Sequence, residues 1–329
     1  MTETQSLLQV RDLSVVYETD TGAIPAVTGL DLDVLRGETL GIIGESGCGK
    51  STMAYAVLRL LQSPGRINSG TVVLDGEELA AIPEARLRSR RWSRISLIPQ
   101  GAMNSLNPTM SVKAMFRATF RAHGREGRGD AACIALLEKV GLAPHVANLF
   151  PHELSGGMKQ RVCIALSIAL SPDLVIADEP TSALDVIVQR TVCQTLLRIR
   201  SEMGMSMIVI GHDIGLMSQL ADRIGVMYAG QLVEIAPTSQ MLDRPQHPYS
   251  RMLLNSATSL GRPRAQSGQG AADAGGIMHD PRKPPSGCIF RLRCPKAQAL
   301  CAELAPAWQA YGPQSGASCH FSETAGDPP

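Results

Sequence analysis

The segment GESGCGKS, at residues 44–51, constrains the fold of this chain more than any other. The apolar run LGII precedes it and the helical pattern TMAYAVLRLL follows it, which predicts a buried strand, a tight loop and a helix. Because Gly44, Gly47 and Gly49 carry no side chain, backbone N–H groups of the loop can approach a ligand closely. The helix adds the positive end of its dipole. The segment therefore predicts a phosphate-binding loop.

The spacing within the loop assigns roles to its side chains. Lys50 is expected to reach the β- and γ-phosphates of a nucleotide, and the Ser51 hydroxyl is expected to ligate Mg²⁺. Tyr17 lies 27 residues before Gly44 and could stack its ring on an adenine base. The expected nucleotide contacts are Tyr17, Gly44, Glu45, Ser46, Gly47, Cys48, Gly49, Lys50, Ser51 and Thr52.

Further apolar runs end in polar residues. ISLI leads to Gln100, LVIA leads to Asp178 and Glu179, and MSMIVIG leads to His212. Apolar runs without alternation, separated by helical stretches, predict a parallel sheet covered on both faces, whose ligands bind beyond the carboxyl ends of the strands. The fold class is α/β, with a β-rich segment at residues 7–43 and a helical insertion at about residues 101–165.

The polar residues at these strand ends suit phosphate chemistry. Asp178 is expected to hold Mg²⁺ through water, and Glu179 is placed to polarise a water that attacks the γ-phosphate. Gln100 is expected to contact the metal and the attacking water, and His212 the γ-phosphate. The predicted catalytic set is Glu179, His212 and Gln100, and the predicted Mg²⁺ set is Ser51, Gln100 and Asp178.

Composition narrows the protein class. The 329 residues carry 31 Lys plus Arg against 30 Asp plus Glu, so a net charge of +1 leaves no broad basic surface for nucleic acid. The apolar runs fall short of the ~18 residues of a transmembrane helix, and the N-terminus does not resemble a signal peptide. We therefore expect a cytosolic chain whose eight cysteines are thiols or metal ligands rather than disulfides.

These motifs together resemble the nucleotide-binding subunit of an ATP-binding cassette (ABC) transporter. The resemblance adds LSGGMKQR at residues 154–161 and SALD at residues 182–185 to the motifs above. It implies a RecA-like P-loop NTPase core with an antiparallel β subdomain, a helical ABC insertion, and ATP and Mg²⁺ as cofactors. It also implies a second ATPase subunit that contacts Asp185. The nucleotide bound to that second subunit would be contacted by the signature residues of this chain, Ser155, Gly156, Gly157 and Gln160.

A narrower resemblance lies in GHDIGLMSQLADRIGVMYAGQLVE, HPYSRMLL and SGCIFRLRCP, which are similar to ATPase subunits of dipeptide and oligopeptide importers, with nickel importers as near relatives. This implies an ATPase on the cytoplasmic face of a bacterial membrane. Its expected partners are a related second ATPase (a heterodimer), two permeases and an extracytoplasmic substrate-binding protein. The chain departs from the family at Pro99, where Phe is common, and at Gly101-Ala102, where Asp-Pro is common.

The boundaries expected from sequence are a cassette at residues 7–257, a linker at 258–287 and a C-terminal extension at 288–329. The extension holds four cysteines whose spacing alone selects no metal. The resemblance implies a [4Fe–4S] cluster, with Zn²⁺ as the second alternative and free thiols as the third. The four residues are Cys288, Cys294, Cys301 and Cys319.

Three other functions remain open from sequence. Within transporters, the cargo could be nickel or another small solute. Outside them, a soluble cassette ATPase of DNA repair or translation could use the extension on nucleic acid, although such proteins usually carry two cassettes or long basic insertions. In the third function, the extension is a redox sensor that regulates the ATPase.

Overall fold

A computed structural model of the protein describes residues 5–182, 184–259 and 280–322. The strands, in chain order, are β1 (Ser6–Thr19), β2 (Gly22–Leu35), β3 (Thr39–Ile43), β4 (Gly65–Leu74), β5 (Glu77–Glu78), β6 (Ile95–Ile98), β7 (Leu174–Asp178), β8 (Ser206–Gly211), β9 (Arg223–Tyr228), β10 (Gln231–Pro237), β11 (Gln309–Gly312) and β12 (Ser315–Ala317). Within these ranges, no helix combines the length and apolar character that crossing a membrane requires.

The α-helices are α1 (Lys50–Val57), α2 (Glu84–Arg90), α3 (Val112–Ala122), α4 (Gly129–Lys139), α5 (Gly156–Ser167), α6 (Val186–Met203), α7 (Ile214–Leu220), α8 (Thr238–Asp243), α9 (Pro248–Ser259) and α10 (Ala299–Glu303). Short 3₁₀ turns lie at Ala102–Asn104, Glu126–Arg128, Pro144–Asn148 and Pro151–Glu153. Residues 260–279 of the predicted linker lie outside the described residues. The chain divides into two compact units.

The first unit comprises Met1–Leu7, Val34–Thr39 and Leu74–Ile210. Its sheet contains β6, β7 and β8, and both pairs are parallel, with Ile95 opposite Leu174 and Leu174 opposite Ser206. All residues of β7 and β8 are buried, which explains why their sequences show no alternation of apolar and polar residues. The predicted parallel arrangement is confirmed for these strands.

Helices α3 to α6 belong to this unit. The apolar face of α3 buries Val112, Met115, Phe116 and Phe120 at the three- and four-residue spacing of an amphipathic helix. Helix α5 buries eight of its twelve residues, as its nearly continuous apolar sequence predicts. Helix α6 ends at Gly204, whose φ of 64° provides the left-handed turn that commonly follows a helix.

The second unit comprises Leu8–Asp33, Leu40–Val73 and Gly211–Pro329. Strand β3 pairs in parallel with β9, and β9 forms an antiparallel hairpin with β10. The hairpin turns at Ala229 and Gly230, both with positive φ. A separate sheet contains the neighbouring strands β2, β1 and β4.

The C-terminal extension is part of the second unit. Strand β12 pairs antiparallel with β10, with Glu234 opposite Ala317, and β11 pairs with β12. All residues of β3 and β9 are buried, and the segment 44–51 follows β3 directly. The extension therefore continues the sheet edge that begins at β9 and β10.

Candidate functional site

At two of the three glycines of the loop at residues 44–51, neighbouring backbone leaves no room for a side chain. A Cβ at Gly44 would lie 2.2 Å from the Met227 carbonyl oxygen. Gly49 has a φ of +102°, and a Cβ there would lie 2.4 Å from the Ala26 carbonyl oxygen. Distances under 3.0 Å exclude any larger residue without movement of the backbone. The two glycines are thus required at the beginning and the end of the loop.

Lys50 begins α1, as predicted, and is 6% exposed. Its ammonium donates hydrogen bonds to the carbonyl oxygens of Gly44 at 2.8 Å and Glu45 at 2.9 Å. The charge is therefore held inside the curl of the loop, where an anionic ligand would meet it together with the loop N–H groups. Burial raises the pKa of the Cys48 thiol, and the neighbouring Lys50 lowers it in part.

The remaining predicted contacts of the loop differ in exposure. Ser46 and Gly47 are exposed at its tip, whereas Ser51 and Thr52 are half-buried in the first turn of α1. Tyr17 is half-buried, and its hydroxyl lies 3.4 Å from the Thr52 Oγ1. The structure thus places Tyr17 at the helix that follows the loop.

Two contacts fix the loop backbone from outside. The Gly230 N–H donates to the Cys48 carbonyl at 2.9 Å, and the Glu45 N–H donates to the Tyr249 hydroxyl at 2.9 Å. Tyr249 belongs to the HPY segment at the start of α9. No local pattern in the sequence connects Tyr249 to a loop 204 residues away.

The acidic pair lies at the end of β7. Asp178 is completely buried, and burying a carboxylate is costly unless donors or a cation compensate for it. Glu179 has a φ of 47°, a left-handed conformation that is uncommon for a residue other than glycine. The Gln100 side-chain amide donates to Glu179 Oε2 at 2.9 Å. The structure thus brings two of the three predicted catalytic residues into direct contact.

The backbone around Glu179 is held on both sides. Its N–H donates to the Ile210 carbonyl at 2.9 Å, and its own carbonyl accepts from the Ser182 N–H at 3.1 Å and hydroxyl at 3.0 Å. Strained backbone of this kind persists only where surrounding contacts enforce it, and it concentrates at functional sites. The sequence gives no sign of this conformation.

The signature residues cap α5. The Ser155 hydroxyl accepts from the Met158 N–H at 3.3 Å, and Ser155 and Gly156 are both exposed. Gly157 is buried, and a Cβ there would lie 2.6 Å from Val188 Cγ1. Gln160, predicted as part of the same trans contact, is only 3% exposed. Of the four signature residues, Ser155 and Gly156 are therefore the two that an incoming ligand could contact.

Two other predicted residues are exposed. Asp185 caps α6, where its Oδ1 accepts from the Val188 N–H at 2.9 Å. His212 follows β8, and the next residue, Asp213, caps α7. Both His212 and Asp185 are thus at strand or helix ends with accessible side chains, as their predicted roles require.

The four extension cysteines line one cavity of about 20 Å³. Cys288, Cys301 and Cys319 are buried and Cys294 is half-buried. Lys296 and Arg291 also line the cavity and supply positive charge. Within residues 5–182, 184–259 and 280–322, however, no group of three or more His, Cys, Asp or Glu side chains could hold a metal ion as placed. The four thiols line the same cavity, but their described positions do not form a metal site.

Backbone N–H groups point at three of these sulfurs. Burial raises the pKa of the Cys288, Cys294 and Cys319 thiols, and a hydrogen bond from the N–H two residues later lowers each in part. Such bonds stabilise a thiolate, which is the form that binds metal. The donor type, the number of donors and these bonds fit a thiolate-bound metal.

Comparison with known proteins identifies the cassette. The sequence model of the ABC transporter family matches residues 27–182. Two dimeric structures of the ATP-binding cassette MJ0796, one in a post-hydrolysis state bound to ADP and Pi, are similar at a TM-score of 0.61 and 26% identity. Each alignment covers 70% of this chain and 98% of the other. The fold is that of an ABC ATPase cassette.

The remainder of the chain narrows this class. The family model for the C-terminal region of oligopeptide/dipeptide transporters matches residues 233–301. The dipeptide transport ATP-binding protein DppD of Caldanaerobacter subterraneus subsp. tengcongensis is 39% identical over 96% of this chain and 97% of its own. The oligopeptide transport ATP-binding protein AppF of Bacillus subtilis is 34% identical over 96% and 98%. The chain belongs to the family of ATP-binding subunits of dipeptide and oligopeptide ABC transporters.

Proposed function

We propose that this chain hydrolyses ATP to power the import of di- or oligopeptides through membrane permeases. The observation that carries the ATP part is the Lys50 ammonium, held inside the curled phosphate loop by two loop carbonyls. The peptide part is supported by the family match at residues 233–301 and by the names of the relatives.

Each predicted residue then has a role in binding or hydrolysis. The loop N–H groups and Lys50 would bind the phosphates, Tyr17 would stack on the adenine, and Ser51, Gln100 and Asp178 would hold Mg²⁺, whose charge would stabilise the phosphates. Glu179 accepts a proton from the attacking water, and His212 contacts the γ-phosphate. The Gln100–Glu179 hydrogen bond supports this assignment, because it orients the carboxylate that must act as base.

The proposed partners are a second, related ATPase, two permeases and an extracytoplasmic substrate-binding protein, on the cytoplasmic face of a bacterial membrane. Val186 and Ile187, directly after Asp185, support the ATPase contact because they are 79% and 80% exposed. Two apolar side chains with this much exposure suit a surface that a second subunit covers. Pro99 and Gly101-Ala102 form the segment that we assign to permease contact.

Purification from native membranes tests this assembly. We expect the tagged chain, extracted in mild detergent, to bring two permeases, a second ATPase and a peptide-type binding protein, all identified by mass spectrometry. Recovery of ribosomal or DNA-repair proteins from the soluble fraction, without permeases, would contradict the transporter function. Uptake of nickel but not of peptides by the reconstituted complex would reassign the cargo.

For the cysteine cavity we propose a [4Fe–4S] cluster bound by Cys288, Cys294, Cys301 and Cys319. Four thiols at one cavity, three of them with N–H donors, support an iron–sulfur or zinc site. Zn²⁺ is the second candidate, because a cavity of about 20 Å³ admits a single ion more readily than a cluster.

Metal analysis of the anaerobically purified chain separates these candidates. About four iron atoms and four sulfides per chain, lost in Cys301→Ser but kept in Cys193→Ser, support the cluster. One zinc per chain with the same dependence supports the alternative. If the protein contains no metal but folds and hydrolyses ATP normally, the four cysteines are free thiols.

A further inference from the structure

The C-terminal extension forms an ion pair with the phosphate loop. The Arg293 guanidinium donates two hydrogen bonds to the Glu45 carboxylate, from Nη1 at 2.8 Å and from Nη2 at 2.7 Å. The Arg293 side chain is 8% exposed and the Glu45 side chain 31%. A two-point pair with one partner buried is more specific and less screened by solvent than an ordinary surface ion pair.

Aromatic rings fix the position of Arg293. Its guanidinium carbon lies 5.7 Å from the centre of the Tyr228 ring and 6.0 Å from that of Phe290. Tyr228, Phe290 and Tyr249 pack against one another, with ring centres 4.7 to 5.3 Å apart. Because Phe290 and Arg293 belong to the extension and Tyr228 to β9, the guanidinium is held where the two meet.

Glu45 is consequently held at three points. Its N–H donates to the Tyr249 hydroxyl, its carbonyl accepts from Lys50, and its carboxylate pairs with Arg293. Glu45 directly follows Gly44 in a loop built to bind phosphates, so its negative charge opposes the ligand. Arg293 neutralises this charge and directs the carboxylate toward the extension.

We propose that Arg293 is a positioning residue for ATP binding: it pairs with Glu45, so that the cysteine-bearing extension sets the affinity of the phosphate loop for ATP. The proposal rests on the proposed role of residues 44–51 in ATP binding. It assigns a function to a part of the chain outside the nucleotide-binding motifs.

A charge-removal series tests the proposal. The dissociation constant of the fluorescent analogue TNP-ATP is measured with the full-length chain and its accompanying subunits. Arg293→Met should raise it about tenfold, because the Glu45 carboxylate then faces the phosphates without compensation. Arg293→Lys, which keeps the charge but not the two-point geometry, should lie between Arg293→Met and the wild type.

The decisive variant is the double substitution Arg293→Met with Glu45→Gln. Removing the uncompensated carboxylate should restore the dissociation constant to within about threefold of the wild type. A purely structural role of Arg293 predicts no such rescue. Arg282→Met is the matched control, since the exposed Arg282 pairs with the neighbouring Asp280 at 2.9 Å and should leave binding unchanged.

Two results would overturn the proposal: an Arg293→Met dissociation constant within twofold of the wild type, or a double variant that binds no better than Arg293→Met. If Arg293→Met does not fold, Arg293→Lys alone and combined with Glu45→Gln provide the same comparison. The variant Lys50→Ala tests the proposed ATP-binding site separately from the role of Arg293. If Lys50→Ala binds TNP-ATP normally, residues 44–51 do not bind the nucleotide.

Discussion

Replacing Glu179 with glutamine separates hydrolysis from binding, because the two side chains have nearly the same shape. The Gln100 amide donates to Glu179 Oε2 at 2.9 Å, and a glutamine carbonyl at residue 179 can accept the same hydrogen bond. The substitution therefore removes the negative charge and the proton acceptor while the local geometry is kept.

The two expected magnitudes differ enough to be distinguished. Exchanging a charge-assisted hydrogen bond for a neutral one costs about 1 kcal/mol, which limits the effect on stability and ATP affinity. Loss of a general base lowers the rate about 10²- to 10⁴-fold, or about 3 to 5 kcal/mol in activation free energy. We therefore expect ATP to bind nearly normally and phosphate release to be almost abolished.

The assay follows phosphate release by the chain purified with its accompanying subunits, and TNP-ATP binding in parallel. Glu202→Gln serves as the control, because Glu202 is an exposed glutamate paired with Lys139 at 2.9 Å in the same unit. A turnover of Glu179→Gln within tenfold of the wild type would refute the base assignment. So would an equal loss of binding and hydrolysis, which would indicate a structural role.

Other contacts give three further expectations. Tyr17→Ala should raise the dissociation constant for ATP about tenfold, since stacking on a base contributes about 1 to 3 kcal/mol, whereas Tyr17→Phe should bind like the wild type in a TNP-ATP titration. Replacing Val186 and Ile187 with serine should weaken ATP-dependent association with a second ATPase in analytical ultracentrifugation without lowering the melting temperature. Burial raises the pKa of Cys163 to about 11, so at pH 8 its thiol should resist iodoacetamide for as long as the protein is folded, as mass spectrometry can measure; fast alkylation would contradict the burial.

The core and half of the site are predictable because their signals are local. Strands β7 and β8 are buried on both faces and thus continuously apolar, and the glycines of residues 44–51 mark a loop that side chains would block. The helix predicted after this loop is confirmed as α1. Each depends on the residues immediately around it.

Features that depend on distant residues leave no such signal. Glu45 and Arg293 are 248 positions apart, and no periodicity or motif in the sequence connects them. The pairing of β12 with β10 is equally hidden, since β12 contains only three residues, Ser315–Ala317. The left-handed backbone at Glu179 is imposed by its surroundings, because glutamate has no preference for it.

Hydrogen bonds in and next to strand β10 connect the extension to the phosphate loop. Immediately before β10, the Gly230 N–H donates to the Cys48 carbonyl of the loop, and within the strand the buried Glu234 accepts a hydrogen bond from the Tyr311 hydroxyl of the extension at 2.8 Å. Glu234 also accepts the His247 N–H at 2.8 Å, which fixes the segment that carries Tyr249 to the loop. Any change that displaces the extension from β10 therefore moves the contacts that hold Glu45. Because a loop ordered in advance binds its ligand at a smaller entropic cost, we expect loss of the folded extension to weaken ATP binding.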